Sequence, residues 1–71
     1  MADVKCPISG TVWQVLVEVG QTVSEDEDLL ILESMKMEIP VAATQDGIVA
    51  EILVAPNESV QEGQILLRLE N

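Results

Sequence analysis

Hydrophobic and polar residues alternate along much of this chain in short stretches, and no stretch shows the spacing of a helix. Alternation over about four to eight residues, with many β-branched side chains, is typical of strands that are half buried in a sheet. The pattern therefore predicts an all-β fold. The predicted strands fall into three matched pairs, which are Val4–Cys6 with Glu38–Val41, Thr11–Glu18 with Ile48–Val54, and Leu29–Leu32 with Ile65–Leu69.

The two halves of the chain repeat one another. With a shift of 37 residues, Ile8–Glu33 and Gln45–Glu70 agree at ten of 26 positions without a gap. Two copies of a unit of three or four strands predict two antiparallel four-stranded sheets packed face to face. The expected result is a flattened β-barrel or sandwich with quasi-twofold internal symmetry. We expect residues 1–71 to form one domain, with a hairpin as the link between the two halves.

The stretch Thr11–Glu18 leaves one question open, because both of its faces carry apolar side chains. One face would hold Thr11, Trp13, Val15 and Val17, and the other face would hold Val12, Gln14, Leu16 and Glu18. Alternation alone does not decide which set lies in the core.

Turn residues separate the predicted strands. Gly20 and Asn57 occupy equivalent positions of the repeat, and both residue types tolerate the left-handed backbone of a tight turn. Pro7 and Pro40 cannot donate a hydrogen bond to a neighbouring strand, so we expect them at strand ends or edges.

Composition narrows the range of functions. The chain has 13 acidic and three basic residues and a net charge of −10, which disfavours binding to phosphate backbones. No segment approaches the roughly 20 apolar residues of a membrane span, and the N-terminal sequence lacks the layout of a signal peptide. Cys6 is the single cysteine, so no intramolecular disulfide forms. We expect a cytoplasmic domain, monomeric in isolation, that binds neither nucleic acid nor membrane.

Most catalytic arrangements are disfavoured as well. The chain has no histidine, so a serine or cysteine nucleophile lacks a base and zinc lacks a Cys/His ligand set. Glu33 and Glu38 could imitate an acid–base pair, but across a short hairpin of an acidic protein we expect them to be structural. The carboxylates of Glu25–Asp28 are expected to be solvated rather than to bind a metal. We expect Cys6 to be a buried or half-buried thiol, and the chain not to be an enzyme.

Lys36 is the residue that remains. It is one of only two lysines, and it lies between Met35 and Met37 at the link between the two halves. A solvated turn would favour Asn, Gly or Asp at such positions, whereas methionines often form adaptable contact surfaces. The pattern predicts one amine presented on a hairpin tip with an apolar side chain on each side.

The chain resembles the biotinyl domains of the biotin/lipoyl-attachment family, of the biotin carboxyl carrier type. The resemblance covers essentially the whole chain and rests on Ile8–Val12, Glu33–Glu38, Gly47–Val49 and the stretch from Val60 to Leu66. Its most specific element is Met-Lys-Met. The chain departs from the family at Ser34 and Cys6, where Ala is common, and it has no room for the "thumb" insertion of some bacterial acetyl-CoA carboxylase carriers.

The resemblance implies a barrel-sandwich hybrid fold with covalent biotin on Lys36. It also implies that Met35 and Met37 are recognised by the partner enzymes. A biotin protein ligase would attach the biotin. The domain would then shuttle carboxybiotin between a biotin carboxylase and a carboxyltransferase of a biotin-dependent carboxylase, such as an acyl-CoA carboxylase. The carboxyltransferase would set the carboxyl acceptor, which leaves no trace in this sequence.

Three alternatives stay open. A lipoyl domain has the same architecture and a lysine at the same tip, although Asp-Lys-Ala usually surrounds that lysine. Modification by both biotin and lipoate is a second alternative. The third is an unmodified β-barrel interaction module that uses its acidic face and its methionine-rich tip.

Overall fold

The computed structural model describes residues 2–71, in which every regular element is a β-strand. This confirms the all-β prediction. Within these residues, no helix is long and apolar enough to cross a membrane. The eight strands are β1 (Ala2–Lys5), β2 (Gly10–Val15), β3 (Thr22–Val23), β4 (Asp28–Ser34), β5 (Met37–Ala42), β6 (Gly47–Ile52), β7 (Ser59–Val60) and β8 (Ile65–Glu70).

The strands form two four-stranded sheets, and every pairing is antiparallel. The strand order is β5-β4-β2-β7 in the first sheet, which we call the tip sheet, and β1-β8-β6-β3 in the second, which we call the opposite sheet. The shift of 37 residues maps β1 to β4 onto β5 to β8, and it maps each sheet onto the other. The predicted sandwich with quasi-twofold symmetry is therefore confirmed.

The core lies between the two sheets and consists mainly of valine and leucine. Burial of a valine or leucine side chain contributes about 1.5–3 kcal/mol, so this layer is the main source of stability. Ile39 and Ile52 only pack against its margin. The largest fully buried side chains come from both halves, and they are Val4, Val12, Val23, Leu29, Leu30, Leu32, Val49, Leu66, Leu67 and Leu69.

A β-bulge in β2 answers the question of which face is buried. The pairing of β2 with β4 shifts between Val12 and Gln14, which leaves Trp13 as the extra residue. Val12 is fully buried, Trp13 and Gln14 are exposed, and Val15 packs against the core. Because the bulge moves the alternation by one residue, the core takes side chains from both predicted faces. The second half repeats this bulge at Ala50 in β6.

The turns confirm the predicted backbone geometry. Gly20 and Asn57 both have positive φ angles, of 91° and 72°. The prolines also lie where pairing permits them. Pro7 follows the end of β1, and Pro40 lies in β5, which is an edge strand of the tip sheet.

Candidate functional site

The link between the two halves is a two-residue turn that joins β4 to β5. Ser34 pairs with Met37 at the end of the ladder, and Met35 and Lys36 form the turn itself. Their φ angles are 53° and 65°. Two consecutive positive φ values define a type I′ turn, which matches the twist of an antiparallel hairpin. The predicted hairpin tip is therefore present, with Lys36 at its second turn position.

This turn is built from unfavourable residues. Type I′ turns favour Asn-Gly, because an L residue with a side chain costs roughly 1–2 kcal/mol in the left-handed region. Met35 and Lys36 both adopt that region. Strained backbone of this kind concentrates at functional sites, where the rest of the structure holds it in place. Sequence reasoning identified the residue types as unusual for a turn but not the strain, because the turn type depends on the pairing register.

The side chains of the tip point away from the body of the domain. Met35 is 86% exposed and Met37 is 63% exposed, although methionine is a residue that folding normally buries. Lys36 is also exposed. Within residues 2–71, the Lys36 amine forms no ion pair and no hydrogen bond with another side chain. The predicted arrangement of one accessible amine between two apolar side chains is what the structure shows.

The base of the hairpin is held firmly to its neighbours. The buried Ser34 hydroxyl donates a hydrogen bond to the Ser9 carbonyl at 2.9 Å, and the Ser9 hydroxyl accepts one from the Glu62 N–H at 3.1 Å. Gly10 lies so close to β4 that an added Cβ would be 2.5 Å from the Glu33 carbonyl oxygen. The strained turn therefore stands on a closely packed support. The sequence reasoning named Ser9 and Ser34 only as part of the family resemblance and did not predict their hydrogen bond.

The other candidate residues lie apart from the tip chemistry. Glu33 and Glu38 pair directly across the hairpin and are exposed, as expected for structural residues. Residues 2–71 enclose no pocket that would shield such a pair from water. In the same part of the chain, no three potential metal ligands converge. Cys6 is buried as predicted, and its thiol donates to the Ile8 carbonyl at 2.9 Å.

The fold and the site together are those of a small β-sandwich domain that presents one strained hairpin tip with an exposed lysine. The chain belongs to the biotin/lipoyl-attachment family, whose model, described as biotin-requiring enzyme, matches residues 2–69. The resemblance seen in the sequence is thereby confirmed.

Known proteins agree with this assignment. The chain is 41% identical over 68 residues to the biotin/lipoyl attachment protein of Bacillus subtilis, covering 96% of this chain and 93% of that one. It is 44% identical to the biotin carboxyl carrier protein of Streptococcus mutans, covering 89% of this chain and 48% of the relative. The chain thus spans nearly the whole of the first relative and about half of the second.

The fold is shared with lipoyl domains. The solution structure of the lipoyl domain of the 2-oxoglutarate dehydrogenase complex from Azotobacter vinelandii superposes with a TM-score of 0.83 at 30% identity, covering 100% of this chain and 98% of that domain. Architecture therefore does not separate a biotinyl from a lipoyl domain. The residues at the tip have to carry that distinction.

Proposed function

We propose that this domain is a non-catalytic carrier that bears biotin on Lys36. In this role it passes a carboxyl group from a biotin carboxylase to a carboxyltransferase. The observation that carries the proposal is the exposed Lys36 amine, held at a strained tip between Met35 and Met37. We further propose that the protein acts in the cytoplasm and is loaded there by a biotin protein ligase.

The chemistry of loading fits the residues present. An amide bond forms between Lys36 Nζ and the carboxyl carbon of an activated biotinyl adenylate, AMP leaves, and the amine gives up its protons to the ligase or to water. The exposed amine is free to enter the active site of another protein. Because residues 2–71 have no pocket that could hold ATP and biotin for activation, we infer that the activated biotin comes from the ligase. The amide removes one positive charge, so the net charge of −10 becomes −11.

When bound, biotin supplies a ring nitrogen that accepts and releases a carboxyl group. This chain holds that group on a stiff support. The support is already ordered, so little conformational entropy is lost each time the domain binds a partner. Ser34, Ser9 and Gly10 provide the stiffness at the base of the hairpin. Tethering also replaces diffusion of a free cofactor with a high effective concentration at each active site.

A lipoyl carrier is the second candidate, because a lipoyl domain has the same fold. The methionines speak against it, because lipoyl domains usually have Asp-Lys-Ala at this position. A separate observation speaks for a carrier over an unmodified interaction module: such a module would not require a lysine with a strained backbone at the tip.

Intact-mass measurement tests the proposal. Purified apo-protein is incubated with ATP and either biotin and biotin protein ligase or lipoate and lipoate protein ligase. We expect a single biotin adduct, mapped by peptide mass to Lys36. Lys36→Arg should stay unmodified and folded, and Lys5→Arg, the matched control at the other lysine, should be labelled fully. A lipoyl adduct alone, no adduct, or biotin on Lys5 would overturn the proposal.

A further inference from the structure

Because of the quasi-twofold symmetry, each position on the outer surface of the tip sheet has an equivalent position on the opposite sheet. Folding places similar demands on equivalent positions, so the outer surfaces of the two sheets can be compared position by position. On the opposite sheet, Arg68 lies between Asp3 and Glu51 in neighbouring strands, and it forms ion pairs with them at 3.2 and 3.0 Å. Hydrogen bonds to Glu51 and to Asp3 raise the pKa of Arg68, so its guanidinium stays charged.

The equivalent row on the tip sheet is largely apolar. The shift of 37 residues replaces Asp3, Arg68 and Glu51 by Pro40, Ile31 and Gln14, which are paired across β5, β4 and β2. Trp13, the bulged residue beside Gln14, is 45% exposed. Ile31 is only partly buried and is not part of the core cluster. We call the surface formed by Trp13, Ile31 and Pro40 the Ile31 face.

A row of negative charge separates the Ile31 face from the tip. The next outward-facing pair along the hairpin is Glu33 and Glu38, both exposed and directly opposite each other. Neither forms an ion pair within residues 2–71. The chain has only three basic residues, of which Arg68 is held on the opposite sheet and Lys36 is the amine that biotin would neutralise. Both carboxylates are therefore available to basic side chains of a partner.

We infer that the Ile31 face is a docking surface for the biotin protein ligase, which would present an apolar recess bordered by basic side chains. This inference rests on the proposed function. It deepens that function by assigning recognition to a surface behind the tip.

Distance favours the ligase as the occupant. Ile31 lies four residues before Met35, which is about 13 Å along a strand. A typical specific interface buries about 800 Å² on each partner, a patch roughly 30 Å across. An enzyme that takes Lys36 Nζ itself into its active site has to close around the tip, so a normal interface centred there reaches the Ile31 face. An enzyme that acts on a ring at the end of the biotinyl arm works farther from the surface.

Charge argues against a second copy of the chain as the occupant. A self-pairing through this face would bring together two chains that each have a net charge of −10 and that expose Glu33 and Glu38 beside the face. Like charges at such a contact are repulsive.

The test compares two isoleucine substitutions. Ile31→Arg places at position 31 the residue that its equivalent position 68 already holds, so the fold is expected to accept it. Ile48→Arg is the matched control, because Ile48 is an exposed strand residue on the outer surface of the opposite sheet. A second pair consists of Trp13→Ala and its control Leu53→Ala, with exposures of 45% and 43% in the parent chain. Circular dichroism melts establish that each variant is folded.

The readouts are the rate of biotin transfer by the ligase purified from the same cells and direct binding of that ligase. Binding is measured by surface plasmon resonance on a Lys36→Arg background, which prevents turnover. We expect Ile31→Arg to raise KM and Kd about tenfold with kcat unchanged, and Trp13→Ala to raise them several-fold. Both controls should stay within about twofold of the parent, and higher salt should weaken binding of the parent.

The other outcomes separate the two proposals. No biotin on Lys36 at any protein concentration overturns the proposed function. Normal biotin transfer with unchanged KM and Kd in folded Ile31→Arg overturns only the docking inference. The docking inference is also overturned if sedimentation shows a dimer of the parent that Ile31→Arg abolishes. It is equally overturned if only a biotin carboxylase, and not the ligase, loses affinity for the loaded variant.

Discussion

Gly10 lies so close to Glu33 that only glycine fits at position 10. A Cβ atom there would be 2.5 Å from the Glu33 carbonyl oxygen. Gly47 repeats this relationship with Glu70 in the second half, at 2.6 Å. The two contacts fix the distance between β2 and β4 and between β6 and β8. In the first half, the contact also holds the strand that leads into the tip.

Gly10→Ala should destabilise the domain by about 1–3 kcal/mol, because the backbone has to move to relieve the clash. Gly47→Ala should cost a similar amount. Gly63→Ala is the comparison, since its Cβ would meet no atom within 4 Å and only the positive φ of 86° opposes it. Urea unfolding measures the three free energies, and a Gly10→Ala variant as stable as the parent would show that the contact has no mechanical role.

Met35→Asn should stabilise the fold by about 0.5–1 kcal/mol. Asn tolerates the left-handed region better than Met does, and Met35 is so exposed that little packing is lost. The same variant should be biotinylated more slowly, because one apolar side chain of the tip is gone. Met37→Asn serves as the control, since Met37 has no positive φ and should show no gain. A lower unfolding midpoint for Met35→Asn would contradict the assignment of strain to this turn.

Ser34→Ala should cost about 1 kcal/mol, the usual net value of a hydrogen bond of this kind. The Ser34 hydroxyl is buried and donates to the Ser9 carbonyl, which loses this donor in the variant. Ser59→Ala is a suitable control because Ser59 is exposed in β7. Thermal and urea unfolding compare the two variants, and equal stabilities would mean that the bond at the hairpin base contributes nothing.

Glu38→Lys should stabilise the domain by about 0.2–1 kcal/mol. The substitution turns a directly opposed pair of like charges, Glu33 and Glu38, into an attractive cross-strand pair. The gain should shrink at high salt, because both side chains are exposed. Glu18→Lys makes the same change in net charge away from this pair. If Glu18→Lys stabilises equally, the effect belongs to the total charge of −10 and not to the pair.

The repeat in the sequence was sufficient to predict most of the fold. Aligned positions such as Val12 with Val49 proved to be buried equivalents, and the turn residues Gly20 and Asn57 share a left-handed backbone. The two-residue strands β3 and β7 were not predicted, because two residues carry no alternation. The predicted strand Thr11–Glu18 also ends earlier, at Val15, although the Leu16 N–H still donates to the Leu29 carbonyl at 2.9 Å.

The tip was predictable only as a set of residue types. Met35, Lys36 and Met37 were singled out because a solvated turn seldom contains them, and the structure confirms that they are exposed. The left-handed backbone at positions 35 and 36 follows from the register of β4 with β5, and this register cannot be read from the sequence. The Ile31 face was equally hidden, since the alternation in the stretch Thr11–Glu18 did not decide which side of Trp13 and its neighbours faces outward.

The mixed origin of the sheets has a consequence for ancestry. Each sheet takes two strands from each half, β2 and β4 with β5 and β7 in one, β1 and β3 with β6 and β8 in the other. A peptide of half the length could complete this sandwich only as an intertwined homodimer. In such a dimer the C-terminus of one peptide would lie beside the N-terminus of the other, at the place that Met35 and Lys36 now occupy. A gene fusion would have joined the two ends at this point, and Lys36 lies at the junction.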